Sequence, residues 1–327
     1  MGRQAHSNFF GLQPLSASAT CVGGQTHVND FQKVDYEVAR PMETAEGATV
    51  VEEYRQAAAN AKAAGFDGVE LHAANGYLLD QFLQSSTNLR DDKYGGSFEN
   101  RFRLTSEALE AVFTVWPANR VGVRLAPNGA FGSMGSADNF EMFSYVLTQL
   151  NKMGLAYVHV MDGLAFGFHG KGRVMKLFDV KSLFDGPVMG NCGYTPLVAE
   201  GAIGTGAADM IAFGRLYLSN PDLVERLTND QYERVCLCAI GSSQQEYQRR
   251  CLFIFVTEET MGCCDVHAAF CAYVDIWTRF FQTPGRRTAI LCLVSSTGRR
   301  SKHQFDRLSH LFRQVIKQYH TFGLVTR

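Results

Sequence analysis

Three side chains that can donate hydrogen bonds or protons, His72, Asn75 and Tyr77, fall within a few residues of one another in the stretch VELHAANGYLLDQFL (69–83). An apolar, β-rich run ends there and a helical pattern begins. His72 and Asn75 stand three apart across that turn, a spacing that aims both into one mouth as paired donors. Polarising a carbonyl needs such donors where negative charge develops. Capping of the following helix is the competing role for both. Tyr77 offers a phenol as proton donor, against the commoner role of a half-buried packing tyrosine. Arg124 lies inside the strand-like run VGVRLAP (121–127). A guanidinium there must meet an anionic or electron-rich partner or bear a large desolvation cost. It either faces a ligand or forms an internal ion pair with a carboxylate such as Glu70. Two further segments, GNCGY (190–194) and AFGR (212–215), combine glycines with an arginine. Gly190, Asn191 and Gly214 let backbone approach a ligand, and the Arg215 fork suits phosphate oxygens. Ordinary turn chemistry is the alternative.

The elements that must position these residues repeat along the chain. VVEEYRQAAANAKAAG (50–65) has helical periodicity and stops at a glycine suited to a C-cap, and FDGVELH (66–72) then reads as a strand. Helical patterns over 101–116, 138–153 and 196–206 precede strands at 120–127, 157–163 and 209–215, and 187–194 supplies another strand with its turn. Strands that read as apolar on both faces, alternating with helices, imply a parallel sheet covered by helices. A doubly wound dinucleotide fold would want G-x-G-x-x-G after its first strand; GAIGTGAAD (201–209) lies before a strand instead. The pattern therefore favours a (β/α)8 barrel, in which chemistry sits at the C-terminal strand ends and phosphate at the last two loops. Taking the fifth strand as the eighth of a barrel, the chain holds strands 4 to 8.

Composition divides the 327 residues near position 235. Residues 1–235 carry 19 Lys/Arg and 26 Asp/Glu, whereas 236–327 carry 12 and 6, and seven of the nine cysteines fall in the second part. The net charge of −1 gives no field that would draw nucleic acid or anionic membrane. MGRQAHSNFF lacks the build of a signal peptide, and no apolar run approaches the roughly 18 residues needed to span a bilayer. A cytoplasmic protein acting on a small molecule is the expectation.

The stretch GFDGVELHAANGYLLDQFLQSSTNLRDDKYGGSFENRFR (65–103) resembles the signature region of the old yellow enzyme family of FMN-dependent ene-reductases. VGVRLAP, YVHVMDGLAFGF, GNCGY and ADMIAFGRLYLSNPDLVERL follow in the family's order, so the resemblance runs over roughly residues 1 to 228. It implies that His72 and Asn75 bind the substrate's carbonyl or nitro oxygen and that Tyr77 protonates the α-carbon. Arg124 would contact the flavin near N1 and O2 and stabilise the anionic reduced ring. Gly190, Asn191, Gly214 and Arg215 would hold its phosphate, and Phe166 and Phe168 would wall the substrate pocket. The implied reaction takes hydride from NADPH or NADH through FMN to an activated alkene. No metal is implied.

The resemblance also implies three earlier βα units that this sequence does not contain, giving an α/β fold of the (β/α)8 TIM type that is incomplete, with strands 1 to 3 missing. Five strands alone would leave two open edges, through which a second copy could associate. A non-catalytic remnant that binds flavin weakly or not at all is the alternative. Residues 236–327 are expected to be a Cys-rich, basic, poorly ordered tail, most simply explained by an altered reading frame or an unspliced intron. Cys236, Cys238, Cys263, Cys264 and His267 invite a zinc reading, but their spacing fits zinc knuckles poorly. A flavin-free phosphate-binding barrel enzyme would need a catalytic group at a strand end, for which Asp162 is the candidate.

Overall fold

The computed structural model describes residues 1–28, 32–165, 167–220 and 222–229 and the segments 254–257, 267–274 and 291–296. Five strands, β1 (Val69–Ala73), β2 (Val121–Leu125), β3 (Tyr157–Met161), β4 (Val188–Asn191) and β5 (Met210–Phe213), pair in chain order and all in parallel. Parallel neighbours need a crossover, and helices supply it. Helix α1 (Gly47–Ala63) leads into β1, α2 (Leu78–Leu83) and α3 (Phe98–Phe113) follow it, and α4 (Asn139–Leu150) joins β2 to β3. Helix α5 (Leu177–Lys181) lies between β3 and β4, α6 (Pro196–Gly204) between β4 and β5, and α7 (Arg215–Ser219) and α8 (Leu223–Thr228) come after.

The sequence places most of these within a few residues. Helix α3 starts three residues earlier than its periodicity suggests because Ser97 caps it, its hydroxyl accepting from the Asn100 N–H at 3.2 Å. Five-residue α5 is too short to show a period and was not foreseen.

The strands are not apolar on both faces. Every residue of the five is buried, but only the outward set, including Val69, Leu71, Val121, Val123, Val158, Val160, Val188 and Ile211, joins the apolar layer under the helices. The inward set on the first three strands is polar: Glu70 pairs with Gly122 and Gly122 with Tyr157, and one rung higher His72, Arg124 and His159 lie side by side. Gly122 is required at its place, since a Cβ there would overlap the Tyr157 ring. Tyr157 fills the interior where Gly122 has no side chain.

Both edges of the five-stranded sheet are paired, which corrects the expectation of open edges. Ile254–Thr257 runs antiparallel to β5, and His267–Val274 runs parallel to β1 and carries Leu291–Ser296 on its far side. These two outermost strands, Ile254–Thr257 and Leu291–Ser296, come close together, so the eight-stranded sheet curls round. Association of a second copy through bare β1 or β5 edges therefore loses its basis. The order of the rest of 236–327, and the candidate zinc ligands Cys236, Cys238, Cys263 and Cys264, lie outside the described residues. No helix among the described residues is long and apolar enough to cross a membrane.

Candidate active site

His72 projects from β1 into the interior and is 5% exposed. Its ring meets that of Tyr77 edge to face, with centroids 5.1 Å apart. The two are brought together by a tight turn in which Asn75 and Gly76 both take left-handed backbone, φ 57° and 71°. Such a turn strains the non-glycine residue and persists only when its surroundings fix it. Here Asp80 Oδ2 accepts from the Gly76 N–H at 2.8 Å, Gln81 Nε2 donates to the Gly76 carbonyl at 2.6 Å, and Gln4 Nε2 donates to the Asn75 carbonyl at 2.5 Å. Gln81 is itself fixed by the Arg3 N–H and the Ser16 hydroxyl. None of Gln4, Asp80 or Gln81 was singled out from sequence. Polar residues buried in an apolar helix start (Asp80, Gln81) were the available signal. Asn75 lines a narrow cleft with Ala126, Phe131, Met134, Met161 and Gly163.

Arg124 shares its rung with His72 and is 7% exposed. Its Nη2 donates to Asn191 Oδ1 at 2.7 Å, and Asn191 Nδ2 donates in turn to the Ala212 carbonyl at 2.8 Å. Glu70, the carboxylate considered as an internal partner of Arg124, places its Oε2 2.9 Å from Nδ1 of His159. The sequence marked Asn191 for phosphate; the structure commits its side chain to aiming Arg124.

The other phosphate candidates separate. Gly190 faces outward, where a Cβ would press on Ile211, Leu177 and the Tyr194 hydroxyl, so its smallness serves helix packing. Gly214 and exposed Arg215 sit at the C-terminal end of β5, at the start of α7. In the turn after β4, Cys192 and Gly193 both have positive φ. Asp162 holds that turn, accepting from the Asn191 N–H at 3.2 Å and the Tyr194 hydroxyl at 2.5 Å. Both oxygens of Asp162 are thereby engaged, which removes the basis for a flavin-free catalytic carboxylate. Phe166 lies outside the described residues, and Phe168 is half-buried on a bridge to Gly129.

Electrostatics divide the buried groups. Burial, then the charges of Arg124 and His159, push His72 well below the ordinary histidine value. It is a neutral ring at neutral pH, able to donate one N–H without adding charge. Burial pushes Asp80 up to about 7, partly opposed by its bonds from Gly76 and Gln84 and by the charge of Arg3. Above the polar rung, Ala74, Ala126, Met161 and Cys192 cluster as a small apolar surface at the strand ends. A cation, neutral donors and an apolar floor at one mouth suit a planar, electron-accepting ring that gains negative charge.

The sequence that builds this sheet and site matches a family of flavin oxidoreductases. Residues 2–234 match the NADH:flavin oxidoreductase / NADH oxidase family, and the chain belongs to that family. It is 37% identical over 233 residues to a protein named putative 12-oxophytodienoate reductase 11 of Oryza sativa subsp. japonica, a match covering 70% of this chain and 64% of the relative. It is 38% identical over 220 residues to a probable flavin mononucleotide-dependent alkene reductase of Leishmania infantum, covering 66% and 59%. The solved old yellow enzyme homologue from Zymomonas mobilis superposes with a TM-score of 0.68 at 35% identity, over 76% of this chain and 68% of that one. This chain thus spans less than two thirds of both of these curated relatives.

Proposed function

We propose that this chain binds FMN at the C-terminal ends of β1 to β5 and reduces activated alkenes, α,β-unsaturated carbonyls or nitroalkenes, with NADPH or NADH as reductant. The five parallel strands correspond in this reading to strands 4 to 8 of a (β/α)8 barrel, with residues 1–235 as the flavin-binding part and strands from 236–327 pairing its two edges. The observation that carries it is the buried rung of His72 and Arg124 beneath the turn that presents Asn75 and Tyr77.

When bound, FMN supplies the hydride chemistry. Arg124, aimed by Asn191, offers positive charge to the pyrimidine edge of the ring. Neutral His72 and the Asn75 amide donate to the substrate oxygen, where negative charge grows as the alkene is reduced. Tyr77, against the His72 ring, donates a proton from its hydroxyl to the α-carbon. Exposed Arg215 and the turn at Cys192 and Gly193 meet the phosphate.

The test is the visible spectrum of the full chain mixed with FMN and desalted, beside an Arg124→Ala/Arg215→Ala variant. A flavin band retained by the native chain and lost by the variant supports the reading. His72→Ala with Asn75→Ala then lowers kcat/KM for an enone by about 10²- to 10³-fold. A colourless native protein would sink it in favour of a non-catalytic remnant.

A further inference from the structure

We propose that Glu70, held by His159, is the counter-charge of Arg124 and a positioning residue that sets how strongly the arginine attracts an anionic ring edge. The functional half of this rests on the reading of Arg124 as the flavin contact.

Glu70 is fully buried and His159 nearly so, with Oε2 and Nδ1 2.9 Å apart. The two residues are on β1 and β3, with β2 between them, and their contact crosses the position where β2 has glycine. Gly122 is the in-register partner of both Glu70 and Tyr157, and Arg124 stands one rung above it, between His72 and His159. Any side chain at 122 would overlap the Tyr157 ring, so the glycine and the tyrosine form one fitted arrangement beside the carboxylate.

Opposite charges meet on this inner face. Burial, with Arg124 opposing Glu70, keeps His159 below its ordinary value, and His72 lies lower still. Burial alone would raise the Glu70 carboxyl; His159, Arg124 and the Tyr157 hydroxyl outweigh it and hold it below its ordinary value. Glu70 thus offers a buried negative charge on the inner face that also carries the Arg124 guanidinium, one rung below it on the neighbouring strand. Asn191, which accepts from the Arg124 guanidinium, is neutral and fixes its direction without balancing it. Direction comes from Asn191 and balance from Glu70. A buried cation deprived of its balancing anion is strongly destabilising, whereas removing both charges is much less so.

That asymmetry supplies the test, a double-mutant cycle on the full chain without flavin, read by urea unfolding. Glu70→Gln should lower the folded-to-unfolded ratio at least tenfold when Arg124 is present and less than threefold in an Arg124→Met background. Equal losses in both backgrounds would overturn the proposal. If Glu70→Gln alone does not fold, recovery of folding in the double variant supports the proposal and its absence overturns it. For the functional half, the native chain and Glu70→Gln are titrated with oxidised and reduced FMN. Loss of the negative charge should favour reduced over oxidised FMN by about tenfold, equivalent to about 30 mV upward for a two-electron couple. An unchanged ratio would overturn the charge-setting role. Failure of the native chain to bind FMN would refute the flavin reading, while the unfolding cycle still decides whether Glu70 balances Arg124.

Discussion

Along β1, Val69, Leu71 and Ala73 face the helices while Glu70 and His72 face the interior, and the two sets obey different rules. The outer layer is held by apolar contact with residues such as Leu104, Leu109, Met142 and Phe143, an attraction without direction. Volume matters there, but identity can vary within it. The inner set is held by directed contacts among charged and polar groups out of water, where each partner lost leaves another unsatisfied. Strand alternation thus puts tolerance on one face and exacting chemistry on the other.

Among single substitutions at a fixed pH, the largest effect should come from breaking an inner contact. His159→Leu removes the partner of the Glu70 carboxylate and should cost about 3 kcal/mol of unfolding free energy by urea titration. A cost below that of an outer swap would erase the distinction between the faces.

Asp80 probes the turn that joins them. An unfolded carboxyl titrates near 3.8, while burial puts the folded one at about 7, so the folded state holds the proton more tightly. The stability this gives is fully present below the unfolded value and is lost as pH rises through about 7. The slope is about 1.4 kcal/mol per pH unit in between. Chemical denaturation across that window should show the decline in the native chain and a flatter profile in Asp80→Asn, which cannot ionise. Parallel profiles would place the titration elsewhere.

The smallest effect belongs to the outer face. Leu71→Met keeps volume and apolarity and should cost less than about 1.5 kcal/mol, with His72, one residue away, undisturbed. A loss of flavin retention in this variant would show that the two faces are coupled.

Much of the fold was legible because helices and parallel strands advertise themselves locally. The runs around 50–65, 66–72, 120–127 and 157–163 carry periodicities that hold whatever surrounds them. His72, Asn75 and Tyr77 were legible for the same reason, since one turn brings them together. Arg124 stood out as a charge in an apolar run, but its acceptor did not, because Asn191 is 67 residues away. Gly190 and Asn191 were assigned to phosphate from a glycine-rich pattern that is blind to which side of a strand each residue faces. Glu70 and His159 are 89 residues apart and show in the sequence only as polar residues in apolar strands.

The sequence by itself determined the order and kind of the elements and the turn at 72–77, because hydrophobic period and short-range spacing are properties of neighbouring residues. Only the tertiary structure decided that Gln4, Asp80 and Gln81 clamp that turn, that Asn191 aims Arg124, and that Glu70 reaches His159 over Gly122. Those pairings depend on register between strands and on the space one missing side chain leaves for another. No local rule encodes either.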